Sequence, residues 1–509
     1  MSQALDLLVF AAFILFCGSG LSSIIFANFD FDKKDIVRAF VVLLGLSGGL
    51  MSAILELMLV FLPGKENSFY LVGIATPFFI LALLSNRDGR KYTGFALKEL
   101  FLRRLLPFHF SGHYRFSNIM LSLFLWGLII MVALEAFVVP LMANDPLEYA
   151  STARIIYEHK SSDVYPMVDL ESSSGYYGPW SHPLGYINLM VITFMLQGTA
   201  DISGLSKFVT PTYFVFTLLL LVTFFNGNRL KTAGLISAFL LATTPAYISG
   251  VMDSHIDPFR MFGFFSCFVM LREYLKTHSK GYFLLTLLCI WLGLYSHSLG
   301  ILIVPILCWI LFLQFVVVIQ NSDKFIKEKI CSYFALILLP ICFNIPRYLT
   351  NISVFGSPIA DASAVPLWQV GSLEYEYYFQ VVRGVFDAQD RILFGIFKVF
   401  TGIDSFGPVY WLAAIGFFWQ LKQRQFAMVR LKAGIREMFR SPSEHVLVWS
   451  VVCYLGMVVL SVVLGIDSFI KNYRYIMTIQ PLVALLAAKL ILTNVLIVVK
   501  RLERANNEL

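Results

Sequence analysis

His182-Pro183-Leu184-Gly185-Tyr186-Ile187-Asn188-Leu189-Met190-Val191-Ile192-Thr193-Phe194-Met195-Leu196-Gln197-Gly198 is the stretch that decides how this chain folds. The chain around it is 58% hydrophobic and 14% charged, with a mean hydropathy of +0.75, so it reads as an all-α polytopic membrane protein. A crossing helix needs roughly 20 apolar residues for a hydrocarbon core ~30 Å thick. Thirteen segments qualify: 4–26, 36–62, 69–85, 118–140, 208–226, 232–251, 258–270, 282–296, 299–320, 330–346, 407–421, 446–466 and 475–498. The short run at 258–270 is expected to extend into the polar residues after it. Whether 182–198 is a further span sets the side of everything downstream.

Charge answers that question. With the N-terminus outside, the inner segments 27–35, 86–117, 227–231, 271–281, 321–329, 422–445 and 499–509 hold 26 Lys and Arg. The longer outer segments 63–68, 141–207, 347–406 and 467–474 hold 10. Such a bias orients multispan proteins and predicts an N-out, C-in topology. Counting 182–198 as a span would move 17 basic residues to the wrong side. The segment is therefore expected to lie along the outer membrane surface. A second interfacial helix is expected at 94–106, where Lys98, Arg103 and Arg104 alternate with Phe95, Leu97, Phe101 and Leu105, a pattern suited to anionic inner-leaflet lipid.

Residues 1–85 then form an N-terminal three-span extension, 86–117 a basic cytoplasmic segment, 118–498 a transmembrane core and 499–509 a cytoplasmic tail. Met1–Asp6 has no basic residue, so no cleavable signal peptide is expected. All seven cysteines fall in apolar runs, unsuited to a disulfide framework or a zinc site. The net charge of +7 sits mostly on one side and gives no support to a nucleic-acid partner.

The polar residues left on the outer side carry the candidate chemistry. Asp145 and Glu148 are three apart, so on a helix they share a face. Such carboxylates can deprotonate an acceptor hydroxyl or hold a divalent metal ion on a phosphate. Asp145 before Pro146 also suits a helix cap, and the two roles are compatible. Asp253-Ser254-His255-Ile256-Asp257 is squeezed into a short link, where acids beside hydrocarbon are costly and tend to be functional. Asp257-Pro258 is also a good helix start. Cations on this side are few: Arg260, Arg347, and Lys471 and Arg474 flanking Tyr473. They suit charge-assisted hydrogen bonds to a lipid-linked phosphate, although Arg260 can equally pair with Asp257. His297 stands at another outer link. In the loop 347–406, Trp368 and Glu374-Tyr375-Glu376-Tyr377-Tyr378 fit either sugar stacking or an interfacial aromatic belt.

Over about residues 118–490 the chain resembles the GT-C superfamily of integral membrane glycosyltransferases. The branch it is most similar to holds the protein O-mannosyltransferases and the lipid A aminoarabinose transferase. The likeness rests on Asp145 with Tyr149 after a first core span, then His182-Pro183-Leu184-Gly185-Tyr186, then Thr243-Thr244-Pro245 followed by Asp257. It continues in Leu292-Gly293-Leu294-Tyr295-Ser296-His297-Ser298-Leu299-Gly300, and in Tyr473-Arg474-Tyr475 with Pro481. The resemblance implies transfer of a sugar from a polyprenyl-phosphate donor on the extracytoplasmic face to an acceptor glycan, lipid or protein, and a direct displacement would invert the anomeric centre. It implies Asp145 as catalytic base or metal-proximal acid. Pro146 stands where many relatives carry a second acid, and His182 where many carry a first proline. The expected location is a bacterial inner membrane. A lipid-linked sugar flippase, or a glycan polymerase or ligase using Arg383 and Arg391, are the competing readings.

Overall fold

The computed structural model describes residues 3–33, 35–101, 115–141, 144–162, 182–202, 204–225, 228–320, 326–355, 400, 402–422, 434, 436–463 and 473–507. Among these residues there is no strand, and the chain is an all-helical polytopic membrane protein. Its principal helices are α1 (Gln3–Asn28), α2 (Ile36–Phe61), α3 (Asn67–Leu84), α4 (Arg87–Lys98), α5 (Arg115–Val138), α6 (Asn144–His159), α7 (Gly185–Gln197), α8 (Val209–Phe224) and α9 (Asn228–Ala242). They continue as α10 (Pro245–Met252), α11 (Asp257–Thr277), α12 (Lys280–Ser296), α13 (Ile303–Gln320), α14 (Ile326–Phe355), α15 (Val409–Lys422), α16 (Val446–Val463) and α17 (Gln480–Asn507).

A helix lies on each of the thirteen expected spans, but fewer are long and apolar enough to cross a membrane. Among the described residues there are 8, or up to 9 if the bent pair α9–α10 is one span. That pair bends by 67°. The cause is local: Pro245 cannot donate a backbone bond, while the Thr243 and Thr244 hydroxyls donate back to Phe239 O at 2.8 Å and Leu240 O at 2.9 Å.

Burial separates core from rim. In an 18-residue apolar stretch of the Leu205–Phe224 span 89% of residues are buried, and in that of Ile36–Phe61 72%. In Asn67–Leu84 and Phe116–Val138 the shares are 17% and 22%, which leaves apolar faces for lipid. Residues 1–85 thus include a central element, because α2 packs on α7, α8 and α12. Association between such helices depends on close fit, since lipid is as apolar as leucine. Gly263 of α11 meets the backbone of Gly293 of α12, where an added Cβ would stand 3.1 Å from its Cα. At Gly300 a Cβ would lie 2.0 Å from the Gly293 carbonyl.

Three expectations need correction. Helix α7 does not lie on a surface: residues 185–195 are all buried, enclosed by α2, α3 and α6. Its apolar pattern faces protein on every side, and its thirteen residues, about 20 Å long, do not match a ~30 Å core. The amphipathic helix expected at 94–106 starts earlier, at Arg87, where the Asn86 side chain caps it by accepting from Gly89 N at 2.8 Å. Its positions 102–106 lie outside the described residues. Helix α14 runs through Pro346 to Phe355, so Arg347 stands on a helix and not in a loop.

Valine at Gly300 is expected to clash with rigid backbone, an overpacking cost of about 1–3 kcal/mol. Thermal unfolding of the detergent-purified protein should show a lower midpoint for G300V. G127A, at a glycine with nothing within 4 Å of its added Cβ, should match the parent.

Candidate functional site

Side chains from α6, the segment before α7, the α10–α11 link, α11, the end of α12 and the start of the last span meet at one end of the bundle. Their supports are polar contacts between helix ends. Lys207 Nζ donates to Val139 O at 2.8 Å, closing the C-terminal end of α5 just before α6. At the other end of α6, Lys160 Nζ donates to Asn67 Oδ1 at 2.6 Å, and Asn67 donates to the Tyr157 hydroxyl at 3.0 Å. Helix α6 is thereby held against α3.

The α10–α11 link is held in a costly shape. Ser254 has φ +58°, the left-handed region, where a side chain costs roughly 1–2 kcal/mol. Two side chains fix it: the Tyr186 hydroxyl donates to Ser254 O at 2.7 Å, and the Thr210 hydroxyl donates to His255 O at 2.9 Å. The link presents His255 Nδ1 at 3.9 Å from Asp145 Oδ2. Asp145 lies in the first turn of α6, which begins at Asn144, and retains 39% side-chain exposure. Tyr149, one turn on, is buried and sets its ring edge-on to both Tyr186 and His182.

Deeper in, Asp257 opens α11 and pairs with Arg260 at 2.6 Å, their side chains 4% and 2% exposed. The guanidinium stands 5.4 Å over the Tyr475 ring and 3.4 Å from His297 Nε2. The last contact has a specific meaning. His297 Nδ1 accepts from Leu299 N at 3.0 Å, so in the neutral ring Nε2 carries the proton. Arg260 has only donors, so Arg260 and His297 direct two N–H groups at one another. An anionic oxygen between them would accept from both. The His182 ring lies 4.2 Å from that of His297, centroid to centroid. Burial, then the charges of Arg347 and Arg260, hold His182 down at about 3 against Asp145 and Asp257, so its ring is neutral at ordinary pH. Burial and, next, the Asp145 charge push the Glu148 carboxyl up to about 8.

The geometry therefore gathers Asp145, Tyr149, His182, Tyr186, His255, Asp257, Arg260 and His297, with Arg347 in electrostatic reach of His182. Asp253 stands apart as the C-cap of α10, accepting from Ser249 at 3.2 Å. Lys471 lies outside the described residues, as do Trp368, Glu374–Tyr378, Arg383 and Arg391, and Tyr473 and Arg474 are described only as backbone of a short helix. One link escaped sequence reading. Tyr295, two residues before His297, donates its hydroxyl to Glu56 of α2 and lies 3.2 Å from the Ser52 hydroxyl. The signal was an acid inside an apolar span, costly there unless it has a partner.

No family model, curated protein or solved structure matches the chain. The chemistry of the cluster is read from its own geometry. Among the described residues no three His, Cys, Asp or Glu side chains gather as a metal-binding group. Of the acids expected to hold a divalent ion, Asp145 and Glu148 stand on α6, the latter holding its proton to about pH 8, and Asp257 is paired with Arg260.

The raised Glu148 carboxyl has a pH signature. Its stabilising effect is full below the ordinary value near 4.5 and is lost as pH rises towards about 8. The thermal midpoint of the parent should fall over that window relative to E148Q, whose difference from the parent should level off above it. Parallel melting profiles from pH 4 to 9 would contradict the assignment.

Proposed function

We propose that the protein is a GT-C-like membrane glycosyltransferase that moves a sugar from a polyprenyl-phosphate donor to an acceptor hydroxyl at the extracytoplasmic face. The observation that carries this reading is the pair of N–H donors of Arg260 and His297 converging within a cluster that also holds the half-exposed Asp145. A phosphodiester oxygen fits between two such donors, and its charge makes the hydrogen bonds stronger than neutral ones. Tyr149, Tyr186 and the two histidines pack ring against ring and hold the wall behind the two donors.

In the proposed reaction the acceptor oxygen attacks the anomeric carbon from the side of Asp145. Its proton passes to the Asp145 carboxylate, with His255 beside it. The bond from the anomeric carbon to the phosphate oxygen breaks, and polyprenyl phosphate leaves with the electron pair. The new negative charge falls on the phosphate, where Arg260 and His297 donate to it. Asp257 keeps the guanidinium aimed, and single displacement inverts the anomeric centre. The prenyl tail would lie along the apolar faces left open on rim helices such as α3 and α5. The expected setting is a bacterial inner membrane with the N-terminus outside.

Purified protein reconstituted with radiolabelled polyprenyl-phosphate sugars and candidate acceptors tests this directly. Transfer or donor hydrolysis should fall on the order of 10²–10⁴-fold in D145N, the range of general-base catalysis. Full activity in a folded D145N would move the base elsewhere. Movement of labelled lipid between leaflets without turnover would favour a flippase.

A further inference from the structure

Helix α11 is 21 residues long, about 30 Å, so its far end lies at the opposite end of the bundle from Asp257. There it borders a cavity of about 490 Å³, within the roughly 300–1,000 Å³ of small-molecule sites. The start of α2, the end of α11, the segment before α16 and the middle of α17 all contribute to its wall. Phe224, Phe225, Leu447, Val448, Leu485 and Leu486 supply apolar surface, and charged side chains with His445 supply the rest.

The charges do not balance. Four cations, Arg38, Arg272, Lys276 and Lys489, face three acids, Asp35, Glu273 and Glu444. Every acid is already engaged. Arg38 pairs with Asp35 at 2.7 Å and Glu273 at 3.4 Å, Arg272 also pairs with Glu273, and Lys276 pairs with Glu444. Among the described residues Lys489, an exposed side chain, forms no ion pair, and the nearby charges acting on it are Arg272 and Lys276, opposed by Glu444. A crowded ammonium with no acid of its own is unfavourable, and an anion in the cavity would supply the counter-charge.

We propose that this cavity is a binding site for a phosphate group, separate from the Asp145–Arg260 cluster. A phosphate brings more than one negative charge and several acceptor oxygens, enough to serve Lys489, Arg272 and Lys276 together, where a carboxylate would not. The phosphate belongs to a lipid headgroup or to a soluble phosphate compound, since the chemistry of recognition is shared. Bound there, it ties α2, α11 and α17 together, so occupancy stabilises the fold.

Thermal melting of the detergent-purified full chain reads this out. Inorganic phosphate and dihexanoyl phosphatidate are each compared with sodium chloride at matched ionic strength, for the parent, K489M and K489R. A rise in melting midpoint of several degrees in the parent and K489R, absent in K489M, is expected. K489M should also melt no lower than the parent without phosphate, because it removes an uncompensated charge. A rise with phosphatidate alone assigns the site to a lipid headgroup, and a rise with both assigns it to the phosphate itself. No rise with either probe, or an equal rise in K489M, overturns the proposal.

Discussion

The buried ion pair between Asp257 and Arg260 is the constraint on which the rest of the cluster depends. Taking two charges out of water costs several kcal/mol per ion, and their attraction offsets this only with good geometry and further hydrogen bonds. The geometric condition is met at the start of α11. The pair is an i,i+3 contact at 2.6 Å, and the carboxylate sits in the first turn, where the helix dipole favours negative charge. Removing either partner would strand the other, at about 3–5 kcal/mol. The position of the guanidinium is therefore fixed before any ligand arrives. Tyr475 beneath it and His297 beside it are placed with respect to an immobile charge.

Close backbone packing sets the partner of that charge. Gly263 and Gly293 let α11 and α12 approach until their backbones touch, and Gly300 folds the following turn onto the Gly293 carbonyl. This brings His297 level with Arg260, nearly five turns of α12 away from Lys280. Precision in the polar cluster comes from residues with no side chain at all.

Much of the cluster was legible in the sequence because polar residues are conspicuous in so apolar a chain. Asp145, Asp257, Arg260 and His297 each stood beside a span end, and the structure brings them to one end of the bundle. Asp253 and Asp257 share one short link, and Asp257 before Pro258, the stronger candidate in the sequence, falls at the helix start that buries it. The surroundings of α7 were not legible, because an apolar helix reads the same against lipid as against protein. Pro346 suggested a break, whereas helix α14 continues past it and carries Arg347 on its surface. The Glu56–Tyr295 bond joins residues 239 apart, and nothing local in either stretch announces the other.

The central position of α2 has a consequence for how the protein is made. The ribosome delivers α2 early, but α7, α8 and α12, which bury it, are synthesised 120 or more residues later. Until then Glu56 has no Tyr295 and Arg38 no Glu273, and the glycines of α2 that later receive Phe262, Tyr213 and Leu292 stand open. Helix α2 therefore enters the bilayer as an unfinished surface, with Glu56 still lacking the Tyr295 hydroxyl and Arg38 paired with Asp35 alone. Biogenesis is then closure of the whole bundle around an early helix, not a succession of hairpins each complete on insertion.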